Sequence, residues 1–425
     1  MATRLPHQSR VITLGCRLNL YESEVIQRHL DAAPDASQRI VINTCAVTQE
    51  AERQAAQAIR RAKRENPEAE IVVTGCAAQI DPDKFAQMEQ VDRVVGNIEK
   101  LEASAWSDGE HAAVEVQDIM AAKATAGHLL DGFVEHTRAF VQVQQGCDHR
   151  CTFCTIPFGR GNSRSAPIEQ VVAQVERLAH NGVQEVVLTG VDLTSYGPDL
   201  PGTPSLGLLA RRILAQVPQL PRLRLSSLDS IEIDRDLEHV IAGEERLMPH
   251  LHLSLQAGSD LILKRMKRRH SRAQAVEICD RLRSLRPGLV LGADIITGFP
   301  TETEEMFQQS LDLVDDCGLS LVHVFPYSER AGTPAAKMPQ VDKAVRKDRA
   351  RRLRAKVDAA LAARLAMERG EVRHVLMERD GRGHSQHFLP TRLANPQTQG
   401  AQTGSIVKGL VQGVTNGHLM IELVD

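Results

Sequence analysis

Three β-branched runs punctuate the first eighty residues, each ending in a cysteine and each followed by apolar positions at helical spacing. They read RVITLGC from Arg10 to Cys16, RIVINTC from Arg39 to Cys45 and EIVVTGC from Glu70 to Cys76. Their spacing of about thirty residues is the usual size of a βαβ step. A fourth run, Val91 to Val95, ends in Gly96 without a cysteine. Continuous apolar strands alternating with helices predict a parallel sheet covered on both faces. Right-handed crossovers put all its strand ends on one edge. The three cysteines should therefore meet on that edge, where open α/β sheets hold their ligands.

The pattern loosens between Leu101 and Thr137 and then resumes with RAFVQVQQGC, Arg138 to Cys147. Further strands are predicted at Glu185 to Gly190, Arg222 to Ser227, His250 to Gln256, Leu291 to Phe299 and Leu321 to Tyr327. Six β/α repeats predict a barrel or partial barrel with its chemistry at the C-terminal strand ends. A highly charged helical connector follows, and from Gly370 the chain turns to glycines and short β runs, the signature of a small antiparallel barrel. The expected organisation is α/β: a parallel-sheet domain over 1–127, a partial (β/α)6 barrel over 137–342, a connector over 343–369 and a small β-barrel over 370–425.

Composition narrows the chemistry. With 425 residues, 42% hydrophobic but only 3% aromatic, the chain has length for several aliphatic cores. No apolar run approaches the roughly 20 residues that span a bilayer, and Met1 to Arg10 lacks the apolar core of a signal peptide, so a cytoplasmic protein is expected. In that reducing compartment eight cysteines read as metal or redox ligands rather than disulfides. Cys279 and Cys317 lie within apolar helical patterns and read as inert core.

The net charge of −3 carries no overall nucleic-acid signature, so RNA contacts would have to come from local patches. Three exist: Arg53 to Arg64, containing Arg60 and Arg61; Lys264 to Arg272, containing Lys267, Arg268 and Arg269; and Lys343 to Lys356. In the last segment Arg373, Arg382, Arg392 and Lys408 are further candidates for phosphate contacts, with Phe388 near them for base stacking. Solvated helix faces are the competing reading of each patch.

The most specific motif is GCDHRCTFC, in which Cys147, Cys151 and Cys154 form a C-x3-C-x2-C triplet directly after the first barrel strand. Three thiolates on one loop can hold three irons of a 4Fe–4S cube and leave the fourth open. S-adenosylmethionine (SAM) can chelate an open iron, and one electron then cleaves its sulfonium bond to a 5′-deoxyadenosyl radical. A zinc site would want a fourth ligand, and His149, inside the loop, is badly placed to supply it. Polar residues at or near barrel strand ends, Thr189, Gly190, Ser226, Ser227, Gln256 and Asp294, are candidate SAM contacts, against the alternative of helix caps and core-facing polar groups.

GCDHRCTFCTIPFGRG resembles the radical SAM loop of the methylthiotransferases, and LGCRLNLYESE, INTCAVT and TGCAAQ resemble that family's three auxiliary-cluster motifs. The resemblance continues through LTGVDLTSYG, RLSSLDS, HLHLSLQAGSDLILKRMKRR, DIITGFPTETEEMF and HVFPYSERAGTPAAKM into a final segment similar to a TRAM domain. HVFPYSERAGTPA, YESE and KRMKRRHSR look like the bacterial branch acting on threonylcarbamoyladenosine.

The resemblance implies that Cys147, Cys151 and Cys154 bind the SAM-cleaving cluster, and that Cys16, Cys45 and Cys76 bind an auxiliary 4Fe–4S cluster that supplies sulfur. One SAM would methylate that sulfur, a second would yield the radical, and the radical would take hydrogen from C2 of N6-threonylcarbamoyladenosine 37, beside the tRNA anticodon. It also implies an electron donor such as flavodoxin or ferredoxin, a sulfur donor, and a monomer. Alternatives are methylthiolation of isopentenyladenosine in tRNA, or of an aspartate in a ribosomal protein, and an iron–sulfur RNA-binding sensor without activity. A cobalamin-binding N-terminal domain would need a D-x-H-x-x-G loop, which residues 1 to 130 lack.

Overall fold

The computed structural model describes residues 9–33, 38–107, 109–122, 130, 132, 137–395 and 400–424. The N-terminal unit is a parallel sheet in the order β1 (Arg10–Thr13), β2 (Arg39–Thr44), β3 (Glu70–Gly75), β4 (Arg93–Val95) and β5 (Val114–Glu115). Helices α1 (Arg17–Ala32), α2 (Gln49–Glu65), α3 (Cys76–Ile80) and α4 (Pro82–Ala86) connect the first four strands. The two-residue β5 falls in the stretch read as a loosening connector, of which residues 108, 123–129, 131 and 133–136 lie outside the described residues. Paired with β4 over two positions, it is too short to print a periodic pattern.

The glycines that precede three of the cysteines have a backbone reason. Gly15, Gly75 and Gly146 have φ of +95°, +96° and +71°, and a Cβ on each would lie 2.5 Å from Cys45 Cβ, 2.3 Å from Thr44 O and 1.9 Å from Asn162 O. Only glycine turns the chain there without strain or collision.

The central unit opens with β6 (Ala139–Gln142), followed by a ribbon of β7 (Gln144–Gln145) with β8 (Arg164–Ser165) that brackets the cysteine triplet and the short helix α5 (Ile156–Arg160). Next come α6 (Ile168–His180), β9 (Glu185–Thr189), α7 (Leu206–Gln216), β10 (Arg222–Leu225), β11 (Ser227–Leu228) and α8 (Arg235–Gly243). The unit ends with β12 (His250–Gln256), α9 (Asp260–Met266), α10 (Arg272–Leu285), β13 (Val290–Thr297), α11 (Glu304–Asp316) and β14 (Leu319–Pro326). The strands form two parallel sheets, β6-β9-β10 and β11-β12-β13-β14, joined where β10 runs through Ser226 into β11. The result is the expected partial barrel.

Strand alternation assigns its two faces. Val141, Val186, Leu188, Leu223, Leu225, Leu251, Leu253, Leu291 and Ala293 bury outward against the helices, with Cys279 and Cys317 in the same core. The alternate residues line the concave face. There Phe140 and Val187 receive Tyr21 and Val25 of α1, so the N-terminal unit lays a helix against the concave side of the barrel.

Helix α12 (Lys343–Ala366) leads to a closed barrel of β15 (Val372–Met377), β16 (Arg382–Ser385), β17 (Pro390–Leu393), β18 (Ile406–Thr415) and β19 (His418–Leu423). One pair, β17 with β19, is parallel rather than antiparallel. This barrel packs under the strand starts of the central unit, sharing a core with Val290 and Leu365.

At that junction Glu185 takes Arg138 at 2.9 Å, Arg222 at 3.5 Å and Arg224 at 3.1 Å. Phe388 stacks between His250 and His384, at 5.1 and 4.6 Å between ring centroids, with the Arg224 guanidinium 4.8 Å from its ring. Phe388 is thus part of a joint and is not presented for base stacking. Burial alone would raise Glu185, but Arg224, then Arg138 and Arg222, hold it well below the usual carboxylate range. Its contribution is complete above the ordinary carboxylate pKa of about 4 and is lost as pH falls through the lower folded value. Glu185→Gln should destabilise the protein by about 3–5 kcal/mol, measured as a lower urea midpoint at neutral pH, with the gap to wild type closing in acid.

Candidate functional site

The parallel edge of the N-terminal sheet and the C-terminal ends of the barrel strands face each other, and the six cysteines lie along that meeting. Cys16 caps α1, Cys45 follows β2 and Cys76 opens α3. Burial raises the Cys45 thiol to about 12, with Cys76 and Cys16 adding to the rise, and Cys76 likewise raises Cys16. Cys147, Cys151 and Cys154 occupy the loop between β7 and α5. Burial pushes Cys154 up to about 11, and Cys151 and Cys76 both act on it in the same direction. The two sets are therefore electrostatic neighbours.

Arg160, the last residue of α5, joins them. It is buried, and its Nε donates to Cys76 Sγ at 3.0 Å. Its Nη2 donates to Asn19 Oδ1 at 2.6 Å and Glu22 Oε2 at 3.0 Å, and its Nη1 to Gln145 Oε1 at 3.3 Å and to Glu22 Oε1. Glu22 also takes Lys100 at 2.6 Å. Burial opposes the charge on Arg160, but Cys76, Glu22 and Cys16 hold its pKa well above the ordinary value. Gly159, one residue earlier, sits so close to α3 that an added Cβ would lie 3.2 Å from Cys76 Cβ.

Donors also point at the loop sulfurs. The Ile156 amide reaches Cys154 Sγ at 3.4 Å, and Arg268 Nη1 lies 3.9 Å from Cys151 Sγ. Such N–H groups favour thiolates and their clusters, so the donor set fits iron–sulfur ligation. His149 Nε2 lies 2.9 Å from Asp192 Oδ2, and Asp192 raises its pKa. The same carboxylate lies 3.7 Å from Cys147 Sγ. His149 is thereby engaged by Asp192 through Nε2.

Gln144 pins the loop to the end of β9: its Nε2 donates to Gly146 O at 2.8 Å while its Oε1 accepts from Asp192 N at 2.8 Å. Of the residues read as SAM contacts, Thr189 and Gly190 lie beside this clamp, an added Cβ on Gly190 falling 2.8 Å from Gln144 Oε1. Ser226 keeps a buried hydroxyl without a protein partner, Ser227 starts β11, and Gln256 ends β12 with φ +68°, a conformation that costs a non-glycine residue energy and clusters at functional sites. Asp294 differs. It lies in mid-strand and accepts from His252 at 2.9 Å and His323 at 3.1 Å.

The basic patches are largely neutralised from within. Arg268 is buried in an ion pair with Asp229 at 2.9 Å, and Arg269 pairs with Glu232 at 2.7 Å and Asp229 at 3.3 Å. Arg268 is thereby turned inward at the mouth of the barrel, while Arg269 stays exposed beside it. Arg61 pairs with Glu65, Arg373 with Glu368 and Glu371, and Arg349 of the third patch with Glu302. Arg60, Lys267, Arg382, Arg392 and Lys408 are exposed. Sequence reasoning missed Arg160, and left Asp192 without a role; the one signal for Arg160 was its position six residues after Cys154 with no acidic neighbour to explain it.

Residues 141–314 match the Radical SAM superfamily, and residues 8–96 match a family described as Uncharacterized protein family UPF0004. The chain is 48% identical to the threonylcarbamoyladenosine tRNA methylthiotransferase of Rickettsia prowazekii, over 98% of each chain. It is 35% identical to the protein of that name from Bacillus subtilis, over 86% of this chain and 84% of the other. With the tRNA-2-methylthio-N(6)-dimethylallyladenosine synthase of Jannaschia sp. it shares 34% identity, over 93% and 90%. Among solved structures, a radical SAM methyltransferase from Kitasatospora setae superposes with a TM-score of 0.54 at 14% identity, covering 77% of both chains, a likeness of fold. The partial barrel with its cysteine loop thus defines a radical SAM enzyme. Within that class, the chain belongs to the methylthiotransferase family, enzymes that transfer sulfur and methyl to tRNA. No described helix is long and apolar enough to cross a membrane.

Proposed function

We propose that this enzyme methylthiolates C2 of N6-threonylcarbamoyladenosine 37 in tRNA, with Cys147, Cys151 and Cys154 holding the SAM-binding 4Fe–4S cluster and Cys16, Cys45 and Cys76 an auxiliary one. The observation that carries this reading is the convergence of the two cysteine sets on one cleft across Arg160; the 48% identity to a relative named for that substrate supports the choice of base.

The chemistry demands such a pairing. An adenine C2–H has no acidic proton for a general base to remove, so a radical must take the hydrogen. Bound in the cleft, the clusters and SAM supply that radical and the sulfur. The chain's own residues hold the site: Gln144 clamps the cysteine loop to β9, Arg160 fixes the Cys76 sulfur against the loop helix, and Arg268 sets a positive charge beside Cys151. A base presented singly, splayed from its loop, can enter the cleft. The electron, from a donor such as flavodoxin or ferredoxin, and the replacement sulfur come from outside the chain.

Anaerobically reconstituted protein should hold about eight irons, four per site, and replacing Cys147, Cys151 and Cys154 by Ala should remove about half. Full iron content in that triple variant would refute the assignment of the loop. The sites should also separate by product. Changing Cys16, Cys45 or Cys76 to Ala should leave 5′-deoxyadenosine formation detectable while abolishing 2-methylthio nucleoside in mass spectra of the tRNA; retention of methylthiolation would refute the auxiliary site.

The RNA surface calls for charge substitutions rather than deletion of residues 370–425, since the small barrel shares its core with Val290 and Leu365. Replacing Arg382, Arg392 and Lys408 together by Ala should weaken tRNA binding and flatten the slope of log affinity against log salt by about 2–3. An unchanged slope in filter-binding titrations would move the anchor elsewhere.

A further inference from the structure

Arg17 follows Cys16 as the first residue of α1. No hydrogen bond or ion pair engages its guanidinium among the described residues. Three physical facts make that placement unfavourable as it stands. The first turn of a helix repels cations, and α1 has no acidic residue there. The side chain is half-buried. Burial, then the guanidiniums of Arg224 and Arg138, push its pKa down from the ordinary value, with Asp294 and Glu185 opposing from a distance.

Both of those carboxylates are already claimed, Glu185 by three arginines and Asp294 by His252 and His323. The position also has a direction. Residues four apart share a helix face, and Tyr21 and Val25, the next two residues on that face, pack on Phe140 and Val187 of the barrel's concave side. Arg17 therefore looks into the concavity, one residue from a cysteine of the proposed sulfur-donating site.

We propose that Arg17 is a specificity-determining residue that binds the carboxylate of the threonylcarbamoyl group. The inference rests on the substrate reading above. In adenine, C2 and C6 flank N1 on one ring, so a base with C2 turned to the cysteine cleft carries its N6 substituent alongside rather than away. A threonylcarbamoyl group ends in a carboxylate, to which a guanidinium donates two parallel hydrogen bonds. A dimethylallyl group, the substituent in the name of the Jannaschia relative, is an uncharged hydrocarbon that offers Arg17 nothing and would leave its charge uncompensated.

The test compares kcat/KM for one tRNA bearing threonylcarbamoyladenosine and the same tRNA with the threonyl carboxylate methyl-esterified. Wild type, Arg17→Gln and Arg17→Lys are each reconstituted to equal iron content, and the acid-to-ester ratio within each protein cancels any general loss of folding. Wild type should prefer the acid by on the order of tenfold or more, the usual worth of a hydrogen-bonded ion pair. Arg17→Gln should bring the ratio near one, through KM, and Arg17→Lys should restore part of it. A wild-type ratio persisting in Arg17→Gln, including a uniform loss on both substrates, overturns the role of Arg17 while turnover of the acid leaves the substrate reading standing. Wild type that modifies dimethylallyladenosine tRNA but not the acid overturns both.

Discussion

A guanidinium buried away from water is stable only when its five donors and its charge are answered, and Arg160 meets that condition through four residues drawn from two structural units. Asn19 and Glu22 come from α1, Cys76 from α3, and Gln145 from the ribbon that brackets the cysteine loop. Because Glu22 is shared with Lys100, the same carboxylate also ties the segment after β4 into the network. Its contacts from Arg160 to Asn19, Glu22 and Cys76 all cross from one unit to the other, so a shift between the units would break them together. The arrangement therefore fixes the relative position of two cysteine sets whose nearest members along the chain are Cys76 and Cys147, as the proposed joining of a radical to a sulfur requires.

The barrel repeats the same logic on a larger scale. Its outward face is aliphatic and packs on helices, whereas its concave face carries Arg222, Arg224, Glu185, His250, His252 and Asp294. Charges in a concave, partly dry interior need partners, and Glu185 and Asp294 serve as two local centres of neutralisation. Arg17 stands outside both. The small barrel closes the far end through Phe388, His374 and Gln386, with Arg222 donating to His374 O at 2.8 Å and Arg224 to Gln386 O at 3.4 Å, so the open approach is on the cysteine side.

Charge runs illustrate how far a linear pattern reaches. KRMKRRHSR looks like one cationic surface, yet Arg268 turns inward to Asp229 and Cys151, Arg272 binds Asp316 and backbone oxygens, and Lys264 and Lys267 stay at the surface. A helix followed by a left-handed residue at Lys267 (φ 58°) sends neighbouring side chains in different directions. Arg346 and Arg349 of the connector are likewise buried against β14 and Glu302.

The sequence by itself determined the order of strands and helices, the glycine before three of the cysteines, and the cysteine positions at strand ends, because each is a local consequence of backbone geometry and burial period. It also determined the class of chemistry, since C-x3-C-x2-C after a first barrel strand is a short-range motif. Tertiary structure alone decided which side chains across domains answer one another. The partner of Arg160 is a carboxylate 138 positions away, that of Asp294 is a pair of histidines on adjoining strands, and Phe388 meets His250 across a domain joint. Ion pairing and stacking act through space at a few ångströms and leave no periodic trace along the chain, so only the folded arrangement could show that Arg17 has no ion-pair partner among the described residues.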